Sequence, residues 1–120
     1  MLKISIYGYS GANRSEFQPL LLQLLVDRYA RILEESSPSP SEFCLKFELA
    51  LFDIVEVYAA LQQTGIQFTP LAHRALTEMC LCQQHFHMQQ EVQTLTIDLR
   101  VMTHAEDRTY APGLLRFRSA

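Results

Sequence analysis

The chain has 120 residues and a mass of 13.8 kDa, with 48% hydrophobic and 19% charged residues, enough apolar length to bury one core and too much for a disordered segment. Lys and Arg number 10 against 13 Asp and Glu, a formal net charge of −3, which excludes a general attraction to phosphate backbones or acidic membranes. Three cysteines, at 44, 80 and 82, are an odd number and fit reduced thiols in a cytoplasmic compartment better than a disulfide framework. No stretch joins a basic start to a long apolar run, and none is apolar over a membrane-spanning length. A single globular domain over 1–120, cytoplasmic and without membrane association, is expected.

In chain order, the first signal has period two. Leu2, Ile4 and Ile6 alternate with Lys3, Ser5 and Tyr7, which predicts a strand over 2–9. A glycine-containing loop at 8–15 follows. Phe17, Leu21, Leu25, Tyr29 and Ile32 then recur at helical spacing and predict a helix from Glu16 to about Glu35, with Ser15 as its N-cap and Pro19 in its first turn. The run Ser36-Ser37-Pro38-Ser39-Pro40-Ser41 reads as an internal loop at 36–41. From Ser41 to Gln63 two patterns overlap: Leu45, Phe47, Leu49 and Leu51 alternate like a strand, while Phe47, Leu51, Ile54, Tyr58 and Leu61 make a helical stripe. The Leu, Glu, Lys and Ala content favours one long helix, and a strand at 44–51 followed by a helix capped by Asp53 is the alternative.

Thr64-Gly65 supplies a helix C-terminus, and Thr69-Pro70 opens a further helix with Leu71, Ala72, Ala75, Leu76 and Met79 on one face, running into the eighties. Leu95, Ile97, Leu99 and Val101 alternate with Thr94, Thr96, Asp98 and Arg100, predicting a half-buried strand over 92–102. Residues 103–120 read as a mostly irregular tail, in which 114–117 is a candidate short edge strand. The expected class is α+β: three main helices packed on a small sheet whose edges need cover.

Four groups of residues carry chemistry. A strand leading into a helix N-terminus favours an anion, because backbone N–H groups and the helix dipole converge there; Gly11, Asn13, Arg14 and Ser15 are the candidate anion-binding residues. This stretch resembles the phosphate loop of low-molecular-weight tyrosine phosphatases and related arsenate reductases, over about the first fifth of the chain. Arg14 and Ser15 match that family's arginine and serine, whereas Gly8 stands where its nucleophilic cysteine would be, and no Asp-Pro segment follows. The resemblance therefore implies binding of an anion without covalent catalysis.

Cys80, Cys82, His85 and His87 are donors of the right type for zinc, but their spacing is not a known structural pattern and a continuous helix would separate them, so no metal or other cofactor is expected. The two helices around Thr64-Gly65 echo a helix-turn-helix, yet the second offers only His73, Arg74, Thr77 and Glu78 outward, too few cations for a DNA reader. His104, Glu106 and Asp107, with Ser10 and Ser15, suggest no triad. The functional expectation is a non-enzymatic protein-protein interaction or regulatory module that meets another protein or a second copy of itself as a homodimer. A phosphate- or nucleotide-binding protein built on 8–15, enzymatic or not, is the alternative, and a DNA binder is a more distant one.

Overall fold

The clearest alternation in the sequence becomes the middle of the sheet. In a computed structural model, which describes residues 2–88 and 93–104, the chain runs β1 (Leu2–Asn13), α1 (Arg14–Asp27), β2 (Arg31–Ser39), β3 (Glu42–Ala50), a short 3-10 turn (Leu51–Asp53), α2 (Ile54–Gln63), β4 (Gln67–Phe68), α3 (Pro70–Met88) and β5 (Thr94–His104). One five-stranded sheet has the order β2-β3-β5-β1-β4, with β1 and β5 parallel and the other neighbours antiparallel. No helix among the described residues is long and apolar enough to cross a membrane.

Strand parity decides what the sheet buries. Phe43, Leu45, Phe47 and Leu49 of β3, Leu95, Ile97, Leu99 and Val101 of β5 and Ile6 of β1 are buried in one cluster with Phe17, Leu21 and Leu25 of α1, Ile54, Val57 and Leu61 of α2, and Ala72 and Leu76 of α3. All three helices thus pack on the same face of the sheet, a two-layer arrangement. Each fully buried Leu, Ile or Phe here contributes about 1.5–3 kcal/mol. A polar latch joins the second and third helices, where the Tyr58 hydroxyl meets His73 Nδ1 while Phe68 packs edge-on against both rings.

The α+β class with three helices on a sheet is as expected, but several boundaries differ. The stretch 41–63 is not one helix. It is β3, a 3-10 turn and α2, because β3 is a central strand with ladders on both sides, and such pairing overrides the helix propensity of its Glu, Lys and Leu. Asp53 does precede α2, although its side chain makes no capping hydrogen bond. The helix predicted to about Glu35 ends at Asp27, and Arg31–Ser39 form edge strand β2 instead.

The Ser/Pro loop expected at 36–41 therefore shrinks to a turn at Pro40 and Ser41. Pro38 is tolerated because an edge strand needs no donor on its outer side. Pro19 lies in the second turn of α1, since the helix begins at Arg14 after Asn13. The strands placed at 2–9 and 92–102 extend over 2–13 and 94–104, pairing in parallel along nearly their whole length. The candidate strand 114–117 lies outside the described residues.

Local signals explain the caps. Gly65 follows α2 with φ +87°, and Thr69 Oγ1 accepts the Ala72 N–H at 3.1 Å at the start of α3. Tyr29 takes the left-handed position after α1 at φ 65° and is 87% exposed, so its ring left the helical stripe on which the sequence placed it.

Gly8 has a packing reason. A Cβ there would stand 3.3 Å from both Ile66 Cγ1 and Phe68 Cδ1, and 3.4 Å from the Gln67 carbonyl oxygen, whereas a Cβ on Gly11 would meet nothing within 4 Å. Gly8→Ala is accordingly expected to lower unfolding stability by about 1–3 kcal/mol, and Gly11→Ala to change it by no more than about 0.5 kcal/mol. Urea denaturation of the two variants checks this; equal effects would contradict the close approach of β4.

Candidate functional site

No element among the described residues covers the face of the sheet opposite the helices, and strand register arranges it in rows. From β1 across β5 and β3 to β2, the rows read Lys3, Thr96, Glu48, Arg31; then Ser5, Asp98, Lys46, Glu34; then Tyr7, Arg100, Cys44, Ser36; then Tyr9, Met102, Glu42, Ser39. Opposite charges are neighbours within and between these rows. Arg31 Nη2 lies 2.8 Å from Glu48 Oε1, Arg100 Nε 3.3 Å from Glu42 Oε2, and Lys3 Nζ 3.6 Å from Asp98 Oδ2. Lys3, Arg31, Lys46 and Arg100 are matched by Glu34, Glu42, Glu48 and Asp98, so the face carries no net charge.

The apolar part of this face lies at one end. Tyr7 is 53% exposed, and Tyr9 and Met102, paired in register, are each 46% exposed. Arg100 sits at the border. Its guanidinium carbon is 5.8 Å from the Tyr7 ring centroid, in cation-π range, and Arg100 stands directly beside Cys44 in strand register. Cys44 first, then Glu42 and Tyr7, hold this guanidinium even more firmly protonated than usual. A shallow cavity of about 250 Å³ lies beside it, lined by Ser5, Tyr7, Cys44, Asp98, Leu99 and Arg100. The face presents aromatic rings, a thioether, a thiol and a guanidinium. Its chemistry is that of a packing surface with hydrogen-bonding options.

The residues predicted for an anion sit elsewhere. β1 continues to Asn13, with an irregularity in its pairing between Tyr9 and Asn13, so Gly11 lies in strand and not in a phosphate-type loop. Asn13 precedes α1 without capping it through its side chain, and Arg14 Nη1 donates to the Ser39 carbonyl at 2.8 Å. That bond ties the start of α1 to the β2–β3 hairpin. Ser15 is exposed in the first turn. Beside this corner, Ser10 Oγ accepts the Ala12 N–H at 3.2 Å, and Thr103 Oγ1 is buried without a hydrogen-bond partner.

α3 is continuous through Met88, which sets the thiols apart. Cys80 and Cys82 stand about 200° apart around the helix and flank the buried stripe on opposite sides. His85 is exposed, and the His87 side chain lies outside the described part. Among the described residues, no three His, Cys, Asp or Glu side chains converge as a metal site. The link between α2 and α3 contains β4, which pairs with β1, so it is longer than a helix-turn-helix turn. Ser10 is held in β1 and His104 closes β5, while Glu106 and Asp107 lie outside the described residues.

Sequence reasoning missed the group Tyr7, Glu42, Cys44 and Arg100. Its signal was present in the alternation of Glu42, Cys44, Lys46 and Glu48 with buried Phe43, Leu45, Phe47 and Leu49, once that stretch is read as a strand. Comparison with protein-family models, with curated proteins and with solved structures finds no match to this chain.

Burial raises the Cys80 thiol pKa above its ordinary value. Alkylation of Cys80, followed by peptide mass spectrometry, is expected to reach its half-maximal rate above about pH 8.5, the free thiol value. An inflection at or below that pH would contradict the packing of α3 on the sheet.

Proposed function

We propose that the protein is a small non-enzymatic module for protein-protein interaction or regulation, and that the uncovered sheet face is its contact surface. The carrying observation is the group Tyr7, Tyr9 and Met102, exposed together on a face that no described helix covers. Tyr, Met and Arg are the side chains enriched in the cores of protein interfaces, where large area comes with little loss of rotamer freedom. Arg100 is pre-ordered against Tyr7 and Glu42, which lowers the cost of fixing it on binding.

The balance of charge selects the kind of partner. Nucleic acid affinity grows with the number of phosphates neutralised, and a face with equal numbers of acids and bases offers no such gain. Another protein, of mixed polarity and with an apolar spot to cover the tyrosines, suits it better. The charged rows nearer Lys3 and Arg31 then form a polar rim that orients the partner without adding much affinity. The free cysteines fit a reducing, cytoplasmic setting.

A photo-crosslinking residue placed at Tyr7 tests this, with a second at Val55, an exposed position on α2, as reference. The expected outcome in cells is an adduct with a distinct protein from position 7 and none from position 55. Tyr7→Ala combined with Met102→Ala is expected to weaken the purified complex at least tenfold, with thermal unfolding essentially unchanged. Adducts from position 55 alone, or undiminished binding by the double variant, would refute the assignment.

A further inference from the structure

The two edges of the sheet are built differently. On β2, Pro38, the register shifts between Ile32 and Glu34 and between Ser36 and Ser39, and exposed Arg31, Glu34 and Glu35 all discourage another strand from pairing. On the opposite side, β4 covers β1 only at Gly8 and Tyr9. The Tyr7 carbonyl accepts the Thr69 N–H at 3.1 Å on that side. Since the N–H and C=O of one strand residue point the same way, and alternate residues point oppositely, Lys3 and Ser5 also direct theirs outward, away from β5. Among the described residues no strand lies beside them. Leu2 to Tyr9 keep unbroken register with β5, with no proline or bulge, and Lys3 is the one charge along this edge.

We infer that a second copy of the chain pairs across this edge, β1 antiparallel to β1, about a twofold axis through Ile4. Register elimination leads to that axis. Antiparallel strands pair outward-directed residues with outward-directed residues, so the axis passes through a residue and not between two. An axis at Lys3 sets the two Lys3 side chains opposite each other, a like-charge pair that destabilises a sheet. An axis at Ser5 sets Lys3 against Tyr7, whose carbonyl already accepts Thr69 N–H.

The axis at Ile4 avoids both. Lys3 of each copy faces Ser5 of the other, and each such pair exchanges N–H···O=C bonds in both directions. On the helix side, Ile4 meets Ile4 and Leu2 meets Ile6. Leu2 and Ile4 are only partly buried at the rim of the core, so the second copy completes their burial. The contact is isologous, as a twofold dimer requires, and it joins two sheets into one of ten strands. Its area is small, so the dissociation constant is expected to be on the order of micromolar.

This pairing is independent of the role proposed for the open face. The test is the mass of the full chain by sedimentation equilibrium from about 1 to 500 µM, a range set around that affinity. Wild type, Ser5→Pro, and Tyr7→Ala with Met102→Ala are compared, with residue-level amide exchange on the wild type. The wild type should pass from monomer to dimer, with the Lys3 and Ser5 amides exchanging at least tenfold more slowly at high concentration. Ser5→Pro removes only an outward N–H, so it should fold and stay monomeric, and the open-face variant should dimerise like wild type.

A wild type that is monomeric throughout, or Lys3 and Ser5 amides unprotected in a dimer, would overturn the inference. So would dimerisation lost in the open-face variant and kept in Ser5→Pro. The amide measurement decides on the wild type alone should Ser5→Pro fail to fold.

Discussion

β5 is the strand on which the rest depends. It lies between β3 and β1 and pairs with both along its length, antiparallel to the first and parallel to the second. Because side chains alternate across a strand, one choice of face for Leu95, Ile97, Leu99 and Val101 assigns a face to every residue in register with them. Phe43, Leu45, Phe47, Leu49 and Ile6 follow into the core, and all three helices cover that side. Tyr7, Cys44 and Arg100 follow to the other side in one row. The proposed contact surface and the core are thus two consequences of one register. A slip of one residue in β5 would exchange them.

What could be read in advance followed the length and isolation of each signal. β5 and the start of α3 were legible because alternation, an N-cap threonine and a first-turn proline each had one consistent reading. Between 41 and 63 the alternation of Phe43 to Leu49 overlaps a helical stripe, and only the ladders to β2 and β5 decide in favour of the strand. The end of α1 was hidden for a related reason: Tyr29 and Ile32 continue the helical spacing, yet the chain reverses at Tyr29 with a positive φ and Ile32 belongs to β2. Edge strand β2 is composed largely of Ser, Pro and Glu, residues that mark loops until a neighbouring strand supplies the hydrogen bonds.

The opening stretch acquires a different physical explanation. Gly8 and Gly11 suggested a loop that could cradle an anion, but Gly8 serves the close passage of β4, and Arg14 holds the β2–β3 turn through the Ser39 carbonyl. The candidate site was hard to foresee because its members are far apart in sequence, with Tyr7, Cys44 and Arg100 on three strands. Each alone is an ordinary polar position on an alternating strand. Only the spatial order β3-β5-β1, which local sequence does not encode, brings them into one row.

Among the described residues, the helices cover one face of this sheet and leave the other exposed. Hydroxyl-radical footprinting of the dilute protein tests this arrangement most directly, because it reads side-chain exposure on both faces at once. Tyr7, Tyr9 and Met102 are expected to oxidise rapidly, and Phe17, Phe43 and Phe47 slowly until the protein is unfolded. Phe43 and Phe47 oxidising as fast as Tyr7 in the folded protein would contradict the strand parity on which the core and the proposed surface both rest.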